Sequence, residues 1–400
     1  MEYNSLSSLA ALPTLSVRNV ALRRRKCKIC GGWSLDFDVV DFNKYCSRTN
    51  CYSFGFSGVP ICYVRCEICG FIFTEFFDNW SDQEFQRFIY NEDYIKVDGA
   101  YAIVRPDNDA KEWARRLVGS RTACMLDYGS GTGIFADRMC SAGFNVKCYD
   151  PFSSPQRPAG KFDIVTCIEV LEHSSNPGQT LQDMKSFLNT GGCILFQTGI
   201  QPADILERRC SWWYISPRNG HVSIYTIDAL AHLAENAGFL LHTGSGPHAF
   251  APRSPSPAAS AALNMIGPWL RIVRLGAPSG SGAELGWHGV EETGQRRFRW
   301  TQTERIEWQL SSRLEGVGRV KVTIPFVMEV EPGFAARSTL TIGSYQGGVT
   351  VEQGNLTATV ETKGATISSV SLTTPPLRKP SELRGTPDRR PLGLAIGVSD

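Results

Sequence analysis

Residues 124–152 read CMLDYGSGTGIFADRMCSAGFNVKCYDPF, and this stretch predicts the fold of the central part of the chain. A short apolar run precedes Gly129, Gly131 and Gly133, and the residues after them show the apolar spacing of a helix. A second short strand then ends at Asp150. Strand, glycine loop, helix, strand and acid in this order indicate the first half of a Rossmann-like parallel sheet, in which a ligand binds beyond the strand ends.

The glycine loop also restricts the kind of ligand. Glycines let the backbone approach a nucleoside ligand, and an acid at the end of the second strand suits ribose hydroxyls. Enzymes that bind nicotinamide or flavin prefer G-x-G-x-x-G, but Ile134 stands where the third glycine would be. The observed D-Y-G-S-G-T-G, residues 127–133, instead resembles motif I of the class I S-adenosylmethionine-dependent methyltransferases.

Two later blocks strengthen this resemblance. FDIVTCIEVLEH (162–173) is similar to the family's fourth strand and the turn after it, and LNTGGCILF (188–196) is similar to the turn before its fifth strand. The resemblance implies a Rossmann-like α/β core that binds S-adenosylmethionine. The implied cofactor-binding residues are Asp127, Gly129, Gly131, Gly133, Asp150 and Glu169. A nicotinamide enzyme and a Rossmann domain without activity are the alternatives.

One segment departs from the family pattern. Only ten residues separate Asp150 from Lys161, which leaves little room for the usual helix and third strand. We therefore expect a shortened sheet. Adenine would then be held by other groups, such as the ring of Phe152 or the backbone that follows it.

The cysteines predict a metal site near the N-terminus. CKICG (27–31) and CEICG (66–70) are near copies, and in each the glycine after the second cysteine frees a turn whose N–H groups can point at sulfur. Four thiolates make a closed, structural zinc site. We expect zinc on Cys27, Cys30, Cys66 and Cys69. Three further residues could substitute as ligands, namely Cys46, Cys51 and Cys62.

The acceptor side of the site is predicted from two histidines and a tyrosine. His173 follows the fourth strand, where the active sites of α/β proteins lie. His221 and Tyr214 lie in a later segment that class I enzymes use as a cover, and they offer a base or a hydrogen-bond donor. The aromatic pair Trp212 and Trp213 can stack on sugar faces. His221 is the preferred candidate for the general base, whereas structural roles remain open for both histidines.

The cysteine module, an aromatic helix capped by Ser81, and Tyr90 and Tyr94 precede motif I. In this arrangement the chain resembles sugar-modifying methyltransferases of bacterial glycan biosynthesis that carry an N-terminal zinc domain. The resemblance implies a nucleotide sugar or a growing glycan as the methyl acceptor. Methylation of a non-sugar small molecule, and a non-catalytic glycan-associated scaffold, are the alternatives.

The C-terminal third changes character. Residues 246–295 have the Pro, Gly and Ser content of a linker, with a short helix expected at 258–275 that docks on a neighbouring domain or touches a membrane surface. From residue 297 onward, polar and apolar residues alternate in short runs separated by Gly or Pro, which predicts a β-sandwich. This domain is interpreted as glycan-binding or purely structural.

Composition supports a multidomain cytoplasmic protein. The 400 residues carry a formal net charge of only +2, so nucleic acid is not expected as a partner. No apolar run is long enough to span a bilayer, and an odd number of cysteines, thirteen, with two C-x-x-C pairs among them fits a reducing compartment. The expected division is a lead-in (1–22), a zinc module (23–80), a methyltransferase domain (81–245), the linker (246–295) and the β domain (296–400).

Overall fold

The computed structural model describes residues 24–244, 246–266, 269–279, 286–293, 296–314, 317–352, 354–362, 365–384 and 387–398. The predicted lead-in, residues 1–22, lies outside the described residues. The described strands form sheets of five, thirteen and four strands. Within the described residues, no helix is long and apolar enough to cross a bilayer.

The N-terminal module is a small antiparallel sheet followed by three helices. Its elements are β1 (Arg25–Lys26), β2 (Trp33–Asp41), β3 (Pro60–Cys66), β4 (Ile72–Phe73), α1 (Asp82–Phe88), α2 (Tyr94–Val97) and α3 (Val104–Arg116). The predicted cap of α1 is confirmed, because the Ser81 hydroxyl accepts from the Glu84 N–H and the Glu84 carboxylate accepts from the Ser81 N–H. Val64 and Phe73 belong to the same hydrophobic cluster as the central sheet, so the module shares its core.

The central sheet has the predicted Rossmann-like start. Its elements are β5 (Cys124–Tyr128), α4 (Ile134–Ser141), β6 (Asn145–Tyr149), β7 (Phe162–Ile168), α5 (Pro177–Ser186), β8 (Leu188–Gln197), α6 (Ile205–Arg208), β9 (Ser223–Ile224), α7 (Ile227–Asn236), β10 (Leu240–Thr243) and β11 (His248–Ala251). The strand order is β6-β5-β7-β8-β11-β10, with β5 to β8 parallel and β11 antiparallel to β8. No strand lies between β6 and β7 in the chain, and the expectation of a shortened sheet is confirmed.

The C-terminal third is mostly β-structure. Its elements are α8 (Pro257–Leu263), β12 (Trp269–Arg274), β13 (Trp287–Thr293), β14 (Arg296–Thr301), β15 (Arg305–Leu314), β16 (Arg319–Glu329), β17 (Thr339–Ile342), β18 (Tyr345–Gly348), β19 (Thr350–Glu352), β20 (Asn355–Glu361), β21 (Ile367–Thr373), α9 (Pro380–Arg384) and β22 (Leu394–Gly397). The alternating runs predict strands at 305–314, 319–330, 338–342, 348–352, 356–362 and 366–372, and each lies within about two residues of an observed strand, whereas β18 was not predicted. The four-stranded sheet β15-β21-β17-β18 and strands of the thirteen-stranded sheet contribute side chains to one hydrophobic core.

The predicted linker is wrong, because residues 246–295 contain regular structure that joins the two halves. β11 is a strand of the central sheet, and β12 pairs antiparallel with β10 and parallel with β16. The predicted helix at 258–275 is correct only for Pro257–Leu263. Leu270 and Ile272 pack in the core of the central sheet and Val273 in the core of the β region, so β12 serves two cores. Backbone pairing with two strand edges outweighs the helical spacing of this segment.

Candidate active site

The glycine loop connects β5 to α4 in a left-handed conformation. Gly129, Gly131 and Gly133 have φ angles of 74°, 52° and 80°. At Gly129 a side chain is excluded for a second reason, because an added Cβ would lie 2.4 Å from Cγ2 of Val170. The loop therefore needs glycine at Gly129 both for its backbone conformation and for its contact with the turn after β7.

Asp150 fastens this loop from the end of β6. One carboxylate oxygen accepts from Gly131 N at 3.0 Å, and the other accepts from the N–H groups of Phe152 and Ser153 at 2.9 Å. Asp150 thus holds the glycine loop and its own loop together. Its predicted contact with ribose hydroxyls stays a prediction.

Asp127 is buried at the end of β5 and does not behave like an ordinary surface acid. Burial raises the pKa of Asp127 to about 7, although the Thr166 hydroxyl donates to its carboxylate at 3.1 Å. The role predicted for it, orienting the loop and the amino group of the cofactor, stays a prediction.

The ring of Phe152 lies beside the N-terminal helices. Its centroid is 5.1 Å from that of Tyr90, whose ring lies 5.4 Å from that of Tyr94. The Gln86 side-chain amide donates to the Phe152 carbonyl at 3.3 Å. The two tyrosines therefore pack at the joint between the N-terminal module and the loop that follows Asp150. The proposed role of Phe152 in holding adenine stays a prediction.

A second group of polar side chains lies at the end of β7. Glu172 is completely buried; one of its oxygens accepts from the Tyr214 hydroxyl at 2.6 Å and the other from the Thr198 hydroxyl at 2.9 Å. The Tyr214 hydroxyl is also 3.4 Å from a carboxylate oxygen of Glu169. Glu169 has a φ of 52°, which costs energy for a residue with a side chain and is a feature of functional sites.

The two predicted histidines meet at this group. The rings of His173 and His221 are 4.9 Å apart between centroids. Nδ1 of His221 is 2.7 Å from the Tyr214 carbonyl oxygen, and Nδ1 of His173 is 3.1 Å from the Gly220 carbonyl oxygen. A carbonyl can only accept, so each Nδ1 carries the proton and each Nε2 keeps its lone pair.

We call Glu169, Glu172, His173 and His221 the carboxylate–histidine cluster. The pKa values of these side chains depend on burial and on one another. Burial, followed by the charge of Glu172, raises the pKa of Glu169 to about 9. Burial alone would raise the pKa of Glu172 as well, but the two imidazoles and the Tyr214 hydroxyl lower it. Burial, followed by the charge of His173, lowers the pKa of His221 to about 4. At neutral pH the imidazoles are therefore neutral, and the hydrogen bond from the Tyr214 hydroxyl favours the ionised form of Glu172.

Neutral imidazoles beside a carboxylate can bind a metal cation as well as a proton. Glu172, His173 and His221 each offer a ligand atom, and these atoms lie within 4.8 Å of one another. Neutral imidazoles whose other nitrogen donates to a backbone carbonyl are the usual form of histidine ligands. The sequence identified both histidines and Tyr214 and placed Glu169 with the cofactor, but it did not single out Glu172. The E-x-x-E-H spacing of residues 169–173 is the signal that could have revealed the cluster.

The segment that carries His221 is held by the N-terminal module. Cys46 N donates to the Asn219 side-chain oxygen at 2.8 Å, and the buried Lys44 ammonium donates to the Trp212 and Ile215 carbonyls. β9, directly after His221, pairs with β4. Trp212 is buried in the core and cannot stack on a sugar, so Trp213 alone remains of the predicted stacking pair.

The four predicted cysteine ligands converge in the N-terminal module. The sulfurs of Cys27 and Cys69 are 3.7 Å apart and those of Cys30 and Cys66 are 3.4 Å apart. Four sulfurs at about 2.3 Å from one zinc ion in a tetrahedron lie about 3.8 Å from each other. The expected turns are present in both knuckles, since Ile29 N and Ile68 N each lie 3.4 Å from a cysteine sulfur. Within the described residues, the other metal-capable group is the carboxylate–histidine cluster.

Comparison with known proteins identifies the central part of the chain. Residues 105–243 match the model of a family described as a methyltransferase domain. This match supports a methyltransferase domain in the central part of the chain. The predicted fold of the central part is therefore confirmed, and the match spans β5 to β10, including the glycine loop and the carboxylate–histidine cluster.

The most similar curated proteins found include ubiquinone biosynthesis O-methyltransferases. The protein from Aromatoleum aromaticum is 31% identical over 22% of this chain and 48% of its own length. The protein from Bordetella avium is 28% identical over 22% of this chain and 47% of its own length. The protein from Acinetobacter baumannii is 26% identical over 34% of this chain and 70% of its own length. The chain thus spans about half the length of the first two relatives.

Solved structures that match part of this chain include two bacterial methyltransferases. An O-methyltransferase family protein from Burkholderia thailandensis matches with a TM-score of 0.34 and 11% identity, over 44% of this chain and 64% of that one. Magnesium protoporphyrin IX methyltransferase from Synechocystis PCC 6803, with bound S-adenosylhomocysteine, matches with a TM-score of 0.31 and 13% identity, over 44% and 96%.

Proposed function

We propose that this protein transfers a methyl group from S-adenosylmethionine to a hydroxyl oxygen. The observation that supports this most is the position of two groups at the same edge of the sheet. The glycine loop with Asp150 follows β5 and β6, and the carboxylate–histidine cluster follows β7. A donor held by the first group would therefore face an acceptor held by the second.

The chemistry is an in-line displacement. The acceptor hydroxyl loses its proton, its oxygen forms a bond to the methyl carbon, and the carbon–sulfur bond of the sulfonium breaks to leave S-adenosylhomocysteine. The protein's contribution is alignment, exclusion of water and removal of that proton. Nε2 of His221 has a free lone pair, and ionised Glu172 would stabilise the imidazolium that forms.

The low pKa of His221 favours a second form of the same site. An imidazole whose pKa is about 4 takes up a proton reluctantly at neutral pH, but it is already in the state that a metal ligand needs. Glu172, His173 and His221, with Glu169 beside them, would hold a divalent cation. Such an ion would lower the pKa of a bound hydroxyl group. Tyr214 and Thr198 would then fix the orientation of the Glu172 carboxylate.

The acceptor that we propose is a sugar, free as a nucleotide sugar or within a growing glycan. Trp213 supports it, because its ring lies next to Tyr214 at the cluster and is contacted by Arg48 of the N-terminal module. A phenolic hydroxyl is the second candidate, since the relatives are named as ubiquinone O-methyltransferases. Parallel assays with nucleotide sugars and with a catechol, using labelled S-adenosylmethionine, distinguish the two.

We further propose that Cys27, Cys30, Cys66 and Cys69 hold a structural zinc ion. The sulfur spacing supports it, because four thiolates this close would repel one another without a cation. The cytoplasm is the proposed location, in keeping with the cysteines of the described residues, none of which forms a disulfide.

Calorimetric titration with S-adenosylmethionine tests the core of the proposal. Wild-type protein should bind with micromolar affinity, and Asp150→Ala should lose binding because the glycine loop loses its carboxylate partner. The matched control is Asp82→Ala, an exposed acid in the first turn of α1. If the folded, zinc-loaded wild-type protein does not bind the cofactor, the enzymatic function is wrong and a non-catalytic scaffold takes its place.

A further inference from the structure

A mostly buried lysine lies inside the first cysteine knuckle. Lys28 stands between Cys27 and Cys30, and its side chain is 16% exposed. Withdrawal of a charged group from water is costly unless that group is paired and hydrogen-bonded. The zinc site proposed above needs only the two cysteines of this knuckle, so it does not explain the lysine between them.

The ammonium group of Lys28 has an acceptor for each of its three N–H donors. It donates to the carbonyl oxygens of Ser175 at 3.0 Å and Thr74 at 3.2 Å, and it forms an ion pair with Asp78. Ser175 lies two residues after His173, whereas Thr74 and Asp78 follow β4 in the N-terminal module. Lys28 therefore ties the first knuckle to the segment that carries His173.

Thr74 extends this connection to the second histidine. Its N–H donates to the carbonyl of Val222 at 3.1 Å, and Val222 directly follows His221 in the chain. The next residue, Ser223, donates its hydroxyl to the carbonyl of Ser174 at 2.7 Å. The two segments that carry the histidines are thus bonded to each other and, through Thr74, to the lysine.

We propose that Lys28 is a positioning residue for His173 and His221, an inference that rests on the methyl transfer proposed above. Its ammonium group holds one point of each histidine segment, and it thereby helps to set the separation of the two rings, whose centroids are 4.9 Å apart. Alignment matters for such a transfer, because a displacement of about 1 Å costs roughly 100-fold in rate. The cysteine cluster then has a second role, since it fixes the knuckle from which Lys28 reaches the active site.

The test compares Lys28→Met with the wild-type protein, both full-length and zinc-loaded. We expect kcat to fall about tenfold or more with the nucleotide sugar or catechol that the wild-type protein methylates. Zinc content and the Kd for S-adenosylmethionine should not change, because the hydrogen bonds of Lys28 go neither to the sulfurs nor to the glycine loop. Lys28→Arg keeps the charge and several donors and should recover part of the loss. The matched control is Lys26→Met, at an exposed lysine of β1 whose ammonium lies over the Trp33 ring.

A spectroscopic measurement separates this inference from the proposed function. In protein with isotopically labelled histidine, the ring signals of His173 and His221 report both imidazoles without donor or acceptor, and His173→Gln and His221→Gln assign them. These signals should shift in Lys28→Met and not in Lys26→Met. Unshifted signals, shifted signals with unchanged kcat, or loss of zinc from Lys28→Met would each overturn the positioning role. Wild-type protein without turnover would contradict the methyl transfer, and a shift would then still establish that Lys28 positions the two histidines.

Discussion

Two groups of side chains in this protein could hold a metal ion, and they differ in their chemical composition. The cysteine cluster consists of four thiols from two local turns with nearly the same sequence, and within the described residues no carboxylate belongs to it. The carboxylate–histidine cluster takes Glu172 and His173 from the turn after β7 and His221 from a segment almost fifty residues later. The first is a repeated local motif, and the second exists only because distant segments meet.

The two clusters also differ in the chemistry that they can support. Four thiolates complete a tetrahedron and leave no position for a substrate, which is the mark of a structural metal site. The other cluster has fewer ligands, strained backbone at Glu169 and a hydrogen-bonded second layer through Tyr214 and Thr198. A site of this kind keeps room for an acceptor. Removal of the cysteine cluster should therefore affect folding, and removal of the other should affect turnover.

The largest effect is expected at the cysteine cluster. Cys66→Ser should abolish zinc binding and lower the free energy of unfolding by about 5 kcal/mol or more, because binding of structural zinc is coupled to folding. Zinc content by atomic emission and thermal unfolding measure this. Cys62→Ser, at an exposed thiol on the same strand, is the control and should retain both zinc and stability. Equal zinc loss in both variants would contradict the assignment of the four ligands.

The next effect is expected at the carboxylate–histidine cluster. Glu172→Gln should lower kcat about 100-fold or more, a typical loss for a group that assists proton removal, with the Kd for S-adenosylmethionine and the zinc content unchanged. Glu207→Gln, at an exposed acid on α6, serves as the control. An unchanged kcat in Glu172→Gln would remove this cluster from the reaction.

Chelation separates the two forms of the active site. If the cluster holds a divalent cation, mild treatment with EDTA should lower turnover about tenfold or more, and Mg²⁺ or Mn²⁺ should restore it while zinc remains on the cysteines. The circular dichroism spectrum should not change. Full turnover after complete removal of divalent ions other than zinc would instead assign proton removal to His221 alone.

The last prediction concerns the stability that depends on burial of a histidine without a charged neighbour. Burial lowers the pKa of His248 to about 4, whereas the unfolded chain titrates near 6.5. Because the folded pKa is depressed, this stability is present above pH 6.5 and is lost as the pH falls towards 4. Between pH 7 and pH 5, His248 should lower the free energy of unfolding of the wild-type protein by about 2 kcal/mol. The variant His248→Phe should not show this decrease. Urea unfolding of both proteins at the two pH values measures it, and parallel pH slopes would refute it.

Local patterns in the sequence predicted more of the fold than long-range ones. The glycine loop, the helix after it, the cap at Ser81 and the strands after residue 305 depend on neighbours a few residues apart, and they are observed where they were expected. The missing third strand was predictable because ten residues cannot hold a helix and a strand. The prediction of a linker was wrong because Pro and Gly content does not indicate that β12 pairs with β10 and β16.

The sequence by itself predicted the Rossmann-like fold of the central part and the four cysteines that converge in the N-terminal module, since their spacing acts through local backbone geometry. It also named His173, Tyr214 and His221 as candidates. The tertiary structure decided that these three meet Glu169 and Glu172, and that β12 joins two sheets into one. The physical reason is that burial, the pKa values of buried groups and the pairing of strand edges depend on which segments come together in space.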